Sequence, residues 1–517
     1  MILSDNTHVF LPDLWATHAK FFPEKEAVIC GDVRRNWRDF NRNMNLVANQ
    51  LISEGIGKGH KVAVLMENSV DILEIIYGIV RSGACVVPLS GLLTTGQVEG
   101  LMNDSGSVAV FCSNVYRDKI DQCRANLRVV RENGYISHDF KDSDWRTYQS
   151  FVATASPEYP YVSYDIRDDF NLIYSSGTTG LPKGILQSHG ARLHWSFSNA
   201  IELRYYVDSR ALTTTALYSN GTWLAILPVL FAGGTLVILP EFSAKEFLNT
   251  VQKEKITHTF MVPTQFIVTL DSPDFDNYDL SSLEAVLCGG SPLRPDTKLE
   301  VLKRMTPNLY ELYGYSEGFA TMNKPGTNQL KPDSVGTPVL GFDVKIVGDD
   351  DSEVNTGEVG EIAGYGAGMM SGYHNNPQAT EAILWTSPDG RAFIRSGDIG
   401  RLDEDGFLYI LDRKKDMIIS GGFNIFPADI ESIVGEHPAV LDVTVIGVPH
   451  DKWGETPLAL IIPHDGANED EILTWSNQNL AKHQRLSGVE FRTEFPRNAL
   501  GKVLKRVLRD EHEKRVS

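Results

Sequence analysis

Cysteine is scarce in this chain. Five stand in 517 residues, Cys30, Cys85, Cys112, Cys123 and Cys288, with no CxxC pair and no cluster of cysteine and histidine. An odd count in a long chain fits a reducing cytoplasm better than a disulfide framework or a zinc site. Long apolar runs are also missing. The longest, Leu224 to Leu239, is broken by Pro228 and by Gly233-Gly234. It is short for a membrane span and predicts a buried helix followed by a strand. The opening "MILSDNTHVF" lacks the basic end and apolar stretch of a signal peptide, and "EKRVS" is not a peroxisomal address. Positive charge is in deficit: 48 Lys and Arg against 67 Asp and Glu give −19. Such a surface excludes a general affinity for nucleic acid or anionic membrane, though not a local anion site. Internal repeats and low-complexity tracts are absent.

What is present is the composition of a globular enzyme, 42% hydrophobic and 22% charged, in a chain too long for one core. Short β-rich runs alternate with helical patterns. "KVAVLM" precedes a helix over Val70 to Arg81, then "CVVPL" follows. Next come "TLVIL" (235–239), a helix from about Ala244, "HTFMV" (258–262), "LEAVLC" (283–288) and "LYELYG" (309–314). This alternation predicts an α/β fold of doubly wound, mostly parallel sheets covered by helices. From about 341, close turn signals predict antiparallel hairpins and a small β-barrel. A break at "LDRKKDMIISGG" (411–422) leads into a compact α+β pattern: helix 427–436, strands 440–447 and 457–462, helix 469–482 and strand 488–493. The expected division is a large domain over 1–411, a hinge at 412–416 and a small α+β domain over 417–517. Residues 412–517 carry 14 basic and 17 acidic side chains, so most of the acidity lies in the large domain.

One stretch is unusual. "IYSSGTTGLPKG" (173–184) sets three glycines, a proline and one lysine among hydroxyls. A strand from Asn171 ends in it, and Gly184–Gln187 reads as the strand that resumes. Gly177 and Gly180 permit positive φ, so backbone N–H groups can converge into an anion-binding nest. Ser175, Ser176, Thr178 and Thr179 add hydroxyl donors and Lys183 adds charge. The stretch is suited to holding a polyphosphate. It is not a Walker A loop, because Leu181-Pro182 intervene and a strand follows in place of a helix.

"YSSGTTGLPKG" resembles the signature of the adenylate-forming superfamily of acyl- and aryl-CoA synthetases, adenylation domains and luciferases. Five further segments resemble that family's motifs in order: "CGGSPL" (288–293), "YELYGYSEG" (310–318), "GEIAGYGAGMMSGYHNNPQAT" (360–380), "RSGDIGRLDEDGFLYILDRKKDMIISGGFNIFPADIE" (395–431) and "PRNALGKVLKR" (496–506). The resemblance is closest to acyl- and aryl-CoA ligases and implies ATP, Mg2+ and coenzyme A. It assigns Gly289, Gly290, Ser291, Glu311, Leu312, Tyr313, Gly314, Tyr315 and Ser316 to the nucleotide, Ser316 replacing the family's usual Thr. Glu317, helped by Thr178, would hold the metal against phosphate oxygens, as hard cations prefer. Asp398 and Arg413 would take the ribose hydroxyls. Lys502, on a turn that Gly501 permits, would neutralise charge developing as a carboxylate attacks the α-phosphate. Lys415 falls at the family's hinge, and Gly422 would line a thiol tunnel.

For the acyl pocket, resemblance to aryl-CoA ligases points to Tyr218, Ser219, Asn220, Trp223, Phe260, Cys288, Leu312, Gly314, Phe319 and Ala320. Ser219 stands where many relatives carry His. With no Asp, Arg or Lys among these positions, the acid is expected to be an uncharged aromatic, alicyclic or medium-chain fatty acid. Cys288 is expected to be an inert wall. Trp453 and Arg485 match residues that meet the CoA nucleotide in some relatives, although His483-Gln484-Arg485-Leu486 replaces a common Tyr-Lys-x-Pro. The expected activity is an ATP-dependent carboxylate–CoA ligase. The alternatives are an adenylation enzyme loading a carrier protein in trans, a luciferase-like oxygenase, and a non-catalytic binder of acyl-adenylates. The sequence leaves oligomeric state open, a homodimer included.

Overall fold

The computed structural model describes residues 9–175, 182–420, 423–497 and 503–516. The chain forms two compact units. The first comprises Met1–Pro332, Pro338–Asp343 and Tyr365–Ile383; the second comprises Asp333–Thr337, Val344–Gly364 and Leu384–Ser517.

In the first unit the β-rich runs become two sheets. One orders its strands as Gly372–Tyr373, Gly184–Ser188, Asp169–Tyr174, Cys85–Pro88, Lys61–Leu65, Ser107–Cys112, Tyr135–Ser137 and Arg146–Thr147. Its interior is parallel and Val-rich because helices cover both faces. Successive residues therefore serve different cores: Val62 and Val64 face one cluster, Ala63 and Leu65 another. The other sheet runs Phe319–Asn323, Leu309–Tyr315, Ala285–Gly289, His258–Met261, Arg210–Thr213, Thr235–Ile238, Glu26–Cys30 and Val33–Asn36. Val64 of the first sheet and Leu236 and Phe260 of the second belong to one shared core.

Helix Val70–Arg81 lies at its expected bounds. Ser69 caps it by accepting from the Ile72 N–H, and each of its residues except Asp71 is buried. Gly78 is required there, since a Cβ would come 2.6 Å from Cβ of Val47 on the neighbouring helix Trp37–Ser53. The long apolar run forms helix Trp223–Phe231, with Pro228 inside, and then strand Thr235–Ile238. No helix among the described residues is long and apolar enough to cross a membrane.

In the second unit the region expected to form a small barrel is a five-stranded antiparallel sheet. It comprises Phe342–Val347, Gly360–Gly366, Ala392–Leu402 and Leu384–Thr386, with Leu408–Arg413 added on Ala392–Leu402. A further sheet pairs Val440–His450 with Gly454–Pro463 and adds Gly488–Phe491 in parallel. Helices Pro427–Gly435 and Glu469–Asn479 accompany it, the latter ending three residues before its expected limit. The two units together give the expected class, mixed parallel sheets with helices in a large N-terminal part and a smaller stranded C-terminal part.

Candidate active site

Three segments of the first unit meet around the end of the glycine-rich stretch. Ser176, Gly177, Thr178, Thr179 and Gly180 lie outside the described residues, but both flanks are placed. Strand Asp169–Tyr174 pairs antiparallel with Gly184–Ser188, and the Ser175 N–H donates to Lys183 O at 3.0 Å. The stretch is thus the connection of a hairpin, which explains why a strand follows it. On the other edge of Gly184–Ser188 lies the two-residue strand Gly372–Tyr373, tied by Ser371 N to Leu186 O (2.8 Å) and His374 N to Gly184 O (2.7 Å).

The third segment is the turn between Leu309–Tyr315 and Phe319–Asn323. Gly318 sits there at φ 113°, and a Cβ on it would meet Gly368 O at 2.3 Å. The Met370 N–H donates to Glu317 O (2.7 Å), and Gln187 Nε2 donates to Ser316 O (2.9 Å). The turn is pinned from both neighbouring segments.

Tyr373 joins the charged groups. Its hydroxyl donates to Glu317 Oε1 at 2.6 Å, and the ammonium of Lys183 lies 4.6 Å from its ring centroid. Burial, then the Glu317 carboxylate, pushes the phenol above its ordinary range, so it stays a donor. Glu317 Oε2 has no hydrogen bond among the described residues. A half-buried carboxylate with one oxygen fixed and one open fits a magnesium ion that takes its other ligands from phosphate and water. Sequence reasoning missed Tyr373. Its only signal was its place inside the quoted segment 360–380.

The proposed acyl-pocket residues divide between two faces of a sheet. The ring of Phe260 packs between two glycines. A methyl on Gly221 would stand 3.3 Å from its Cζ, and one on Gly289 3.1 Å from its Cε2. Tyr218, Ser219 and Asn220 are half-buried on the turn before helix Trp223–Phe231, and Trp223 Nε1 donates to Leu217 O (2.9 Å). Leu312 and Ala320 share the core of Phe260 and Trp223, and Phe319 is buried beside Tyr315, ring centroids 5.6 Å apart. A Cβ on Gly314 would meet Phe319 O at 2.4 Å. Cys288 does not join them. Register pairs it with Met261 and Glu311, and it packs with Met261, Leu212 and Val286 on the opposite face from Phe260. Burial raises its thiol well above the ordinary range. Glu311 faces the same way, its carboxylate 2.6 Å from the buried Lys298 ammonium.

Sequence reasoning also missed Arg192, on helix His189–Glu202. The guanidinium is buried, donates to Asn171 Oδ1 (2.6 Å) and Asn220 Oδ1 (2.7 Å), and lies 4.8 Å from the Trp223 ring. A cation therefore does stand against the acyl-pocket turn. Its signal was a lone cation in a helical stretch that follows the glycine-rich motif.

In the second unit, Asp398 and Arg413 are direct cross-strand partners, Nε 3.2 Å from Oδ1. Glu361 fixes their surroundings: it accepts from Gly397 N (3.2 Å), Arg395 Nη1 (3.1 Å) and Lys414 Nζ (3.0 Å). Lys415 is exposed at the expected hinge. Next to it, Asp416 pairs with Arg509 of the C-terminal helix Lys505–Val516, and Lys505 pairs with Glu431 at 2.7 Å. Gly422 and Lys502 lie outside the described residues; Arg497 and Val503 bridge the ends of the lysine segment. Trp453 is exposed with Lys452 Nζ 4.5 Å from its ring centroid, and Arg485 is exposed as well.

The pattern of the AMP-binding enzyme family matches residues 15–374, and that of the AMP-binding enzyme C-terminal domain matches residues 429–502. The chain belongs to this family. Similar curated proteins are CoA ligases and synthases. They include an indoleacetate–CoA ligase of Aromatoleum aromaticum (33% identical, covering 94% of this chain and 95% of that one) and a feruloyl-CoA synthase of Amycolatopsis sp (32%; 94% and 96%). A long-chain-fatty-acid–CoA ligase of Mycobacterium tuberculosis is 31% identical over 93% of this chain and 94% of its own. Among solved structures, ATP-bound MatB from Rhodopseudomonas palustris has a TM-score of 0.87 at 28% identity, covering 97% of this chain and 99% of that one. These likenesses make the chain an AMP-forming enzyme of the acyl- and aryl-CoA synthetase type.

Proposed function

We propose that the enzyme joins an uncharged aromatic, alicyclic or medium-chain fatty acid to coenzyme A. Carboxylate and MgATP give acyl-AMP and pyrophosphate, and the CoA thiol then displaces AMP. The observation that carries this reading is the Lys183–Tyr373–Glu317 arrangement beside the glycine-rich hairpin, which joins through one side chain the two kinds of charge that a metal-bound triphosphate calls for. Segments 175–184, 289–291 and 311–316 would hold the nucleotide, Asp398 and Arg413 the ribose, and Glu317 with Thr178 the metal. Bound Mg2+ would supply charge neutralisation at the phosphates. Lys502 would oppose charge on the reacting oxygens. Rotation at Lys415, between a domain over 1–411 and one over 417–517, would then bring Gly422, Trp453 and Arg485 to the thiol. The relatives that act on indoleacetate and on ferulate favour an aromatic acid. Scarce thiols, four of the five buried, fit a cytoplasmic enzyme.

The test is a panel of benzoates, cinnamates, alicyclic acids and fatty acids, scored by AMP release with CoA. AMP release with at least one class is expected. A folded protein that catalyses no ATP–pyrophosphate exchange with any acid would overturn the reading. Adding CoA or carrier proteins to preformed acyl-AMP distinguishes this ligase from a carrier-loading enzyme.

A further inference from the structure

Buried charges in folded proteins are paired, because an uncompensated ion in a low-dielectric interior is costly. Arg192 departs from that rule. It is 3% exposed, and among the described residues no carboxylate meets it. Its Nε and Nη2 donate to two neutral amides, Asn171 and Asn220, and Nη1 makes no hydrogen bond among those residues. Arginine retains its proton in nearly all settings, so deprotonation is a poor way out.

The surroundings carry further unmatched donors. Asn171, fully buried, receives Arg192 on Oδ1, and its Nδ2 has no partner among the described residues. Tyr77, also fully buried, has a hydroxyl with no partner among the described residues, and its ring meets Trp223 edge-on at 6.2 Å, the same indole that carries Arg192. Arg192 and Tyr77 thus stand at one indole with Asn171 beside Arg192, three nine-tenths-buried side chains whose donors lack a full set of acceptors among the described residues. One member of the group, Asn220, sits on the half-buried turn that also carries Tyr218 and Ser219.

We propose that Arg192, with Tyr77 and Asn171 behind it, is a specificity subsite that receives an oxygen acceptor on the acid substrate, remote from the carboxylate that is adenylated. The recognised chemistry is a carbonyl-type oxygen, either a neutral ketone or a second carboxylate. A planar guanidinium suits both, because its N–H groups point in the plane that holds carbonyl lone pairs. This rests on the acyl-CoA ligase reading: a keto acid narrows the uncharged class proposed there, and a diacid extends it. A ring or chain otherwise apolar, as Phe260 and Trp223 demand, ends in one oxygen that answers Arg192.

The experiment uses matched acids that differ at one position: keto against methylene, and terminal carboxylate against terminal methyl, over phenyl and C5–C10 frameworks. Wild type is expected to prefer the oxygen-bearing member of at least one pair by tenfold or more in kcat/KM. Arg192→Leu is expected to erase or reverse that preference while ATP binding, read by calorimetry, is unchanged. Arg192→Gln, which keeps polarity and bulk, serves if the Leu variant is unstable, and is expected to retain keto but lose dicarboxylate preference. The shift in unfolding midpoint with each acid gives a readout independent of turnover, and oxygen-bearing acids should raise it in wild type alone. Turnover that favours the apolar member of every pair would sink the subsite and leave the ligase reading intact. So would an Arg192→Leu enzyme slowed equally toward all acids, the behaviour of a buried strut hydrated by water only. Midpoint shifts with no turnover of any acid would keep the subsite and end the ligase reading. Neither turnover nor selective shift would end both.

Discussion

The hydroxyl of Tyr373 donates to Glu317 Oε1 at 2.6 Å while its ring carries the Lys183 ammonium 4.6 Å from the centroid. One side chain therefore orients the proposed metal ligand and steadies the proposed phosphate cation. Tyr373→Phe keeps the ring and removes the hydrogen bond to a charged group, worth about 1.5–3 kcal/mol. Adenylation should fall about 10- to 100-fold, with a higher Mg2+ requirement, measured by ATP–pyrophosphate exchange against magnesium concentration. Glu317→Gln should fall further. If Tyr373→Phe matches wild type at limiting magnesium, Glu317 needs no such support and its proposed role loses its main structural argument.

Asp398 and Arg413 face each other across adjacent antiparallel strands at 3.2 Å, with Arg413 about two-fifths exposed. A pair open to water contributes little to stability. Asp398→Asn should leave the unfolding midpoint within a few degrees of wild type yet raise KM for ATP by roughly tenfold or more, since a carboxylate accepting hydroxyl protons binds better than an amide. An unchanged KM for both ATP and its 2′-deoxy analogue would remove the pair from ribose binding.

Features set by nearby residues were legible in the sequence. Helix Val70–Arg81 carries its own cap in Ser69, and the hairpin around the phosphate stretch announces itself by glycines between two apolar runs. The proposed ribose pair and Glu317 were found because whole segments resemble a family. Tyr373 and Arg192 were not singled out, since their meaning lies in distant partners: Glu317 is 56 residues from Tyr373, and Asn220 is 28 from Arg192. Cys288 shows the same limit. Which face of its strand it occupies follows from its pairing with Met261, and register across parallel strands is not written in either strand alone.

Lys502 yields a prediction that separates the two half-reactions. If its ammonium acts on the reacting phosphate oxygens, Lys502→Ala should lose about 10²–10³-fold in adenylation, the cost of one preorganised electrostatic group. Thioester formation from supplied acyl-AMP should change less than about tenfold, because the proposed rotation at Lys415 takes Lys502 away from the reacting centre before the thiol displaces AMP. Lys505 is a built-in comparison. It pairs with Glu431 at 2.7 Å, so Lys505→Ala should reduce stability and leave the ratio of the two half-reactions unaltered. Equal loss of both steps in Lys502→Ala would refute its assignment to the first.

Two buried histidines contribute to how stability responds to acid. His258 is stacked on Tyr205 with ring centroids 3.9 Å apart, and its nitrogens are engaged by Leu203 O (2.9 Å) and Thr257 Oγ1 (2.7 Å). Burial lowers both His258 and His189 from 6.5 to about 4. Folded rings thus stay neutral down to about pH 4, whereas in the unfolded chain they take a proton near pH 6.5. Between these values the unfolded state binds more protons, so stability is complete above pH 6.5 and drains away as pH falls toward 4. Each ring should cost about 2 kcal/mol by pH 5 relative to pH 7.5. Denaturant unfolding at the two pH values measures the total, and His258→Gln isolates one share, since a ring that cannot titrate adds nothing to the difference. The variant, less stable at pH 7.5, should therefore lose about 2 kcal/mol less than wild type on acidification. Equal losses in the two proteins would show that His258 is protonated in the folded state and that its burial does not set its charge.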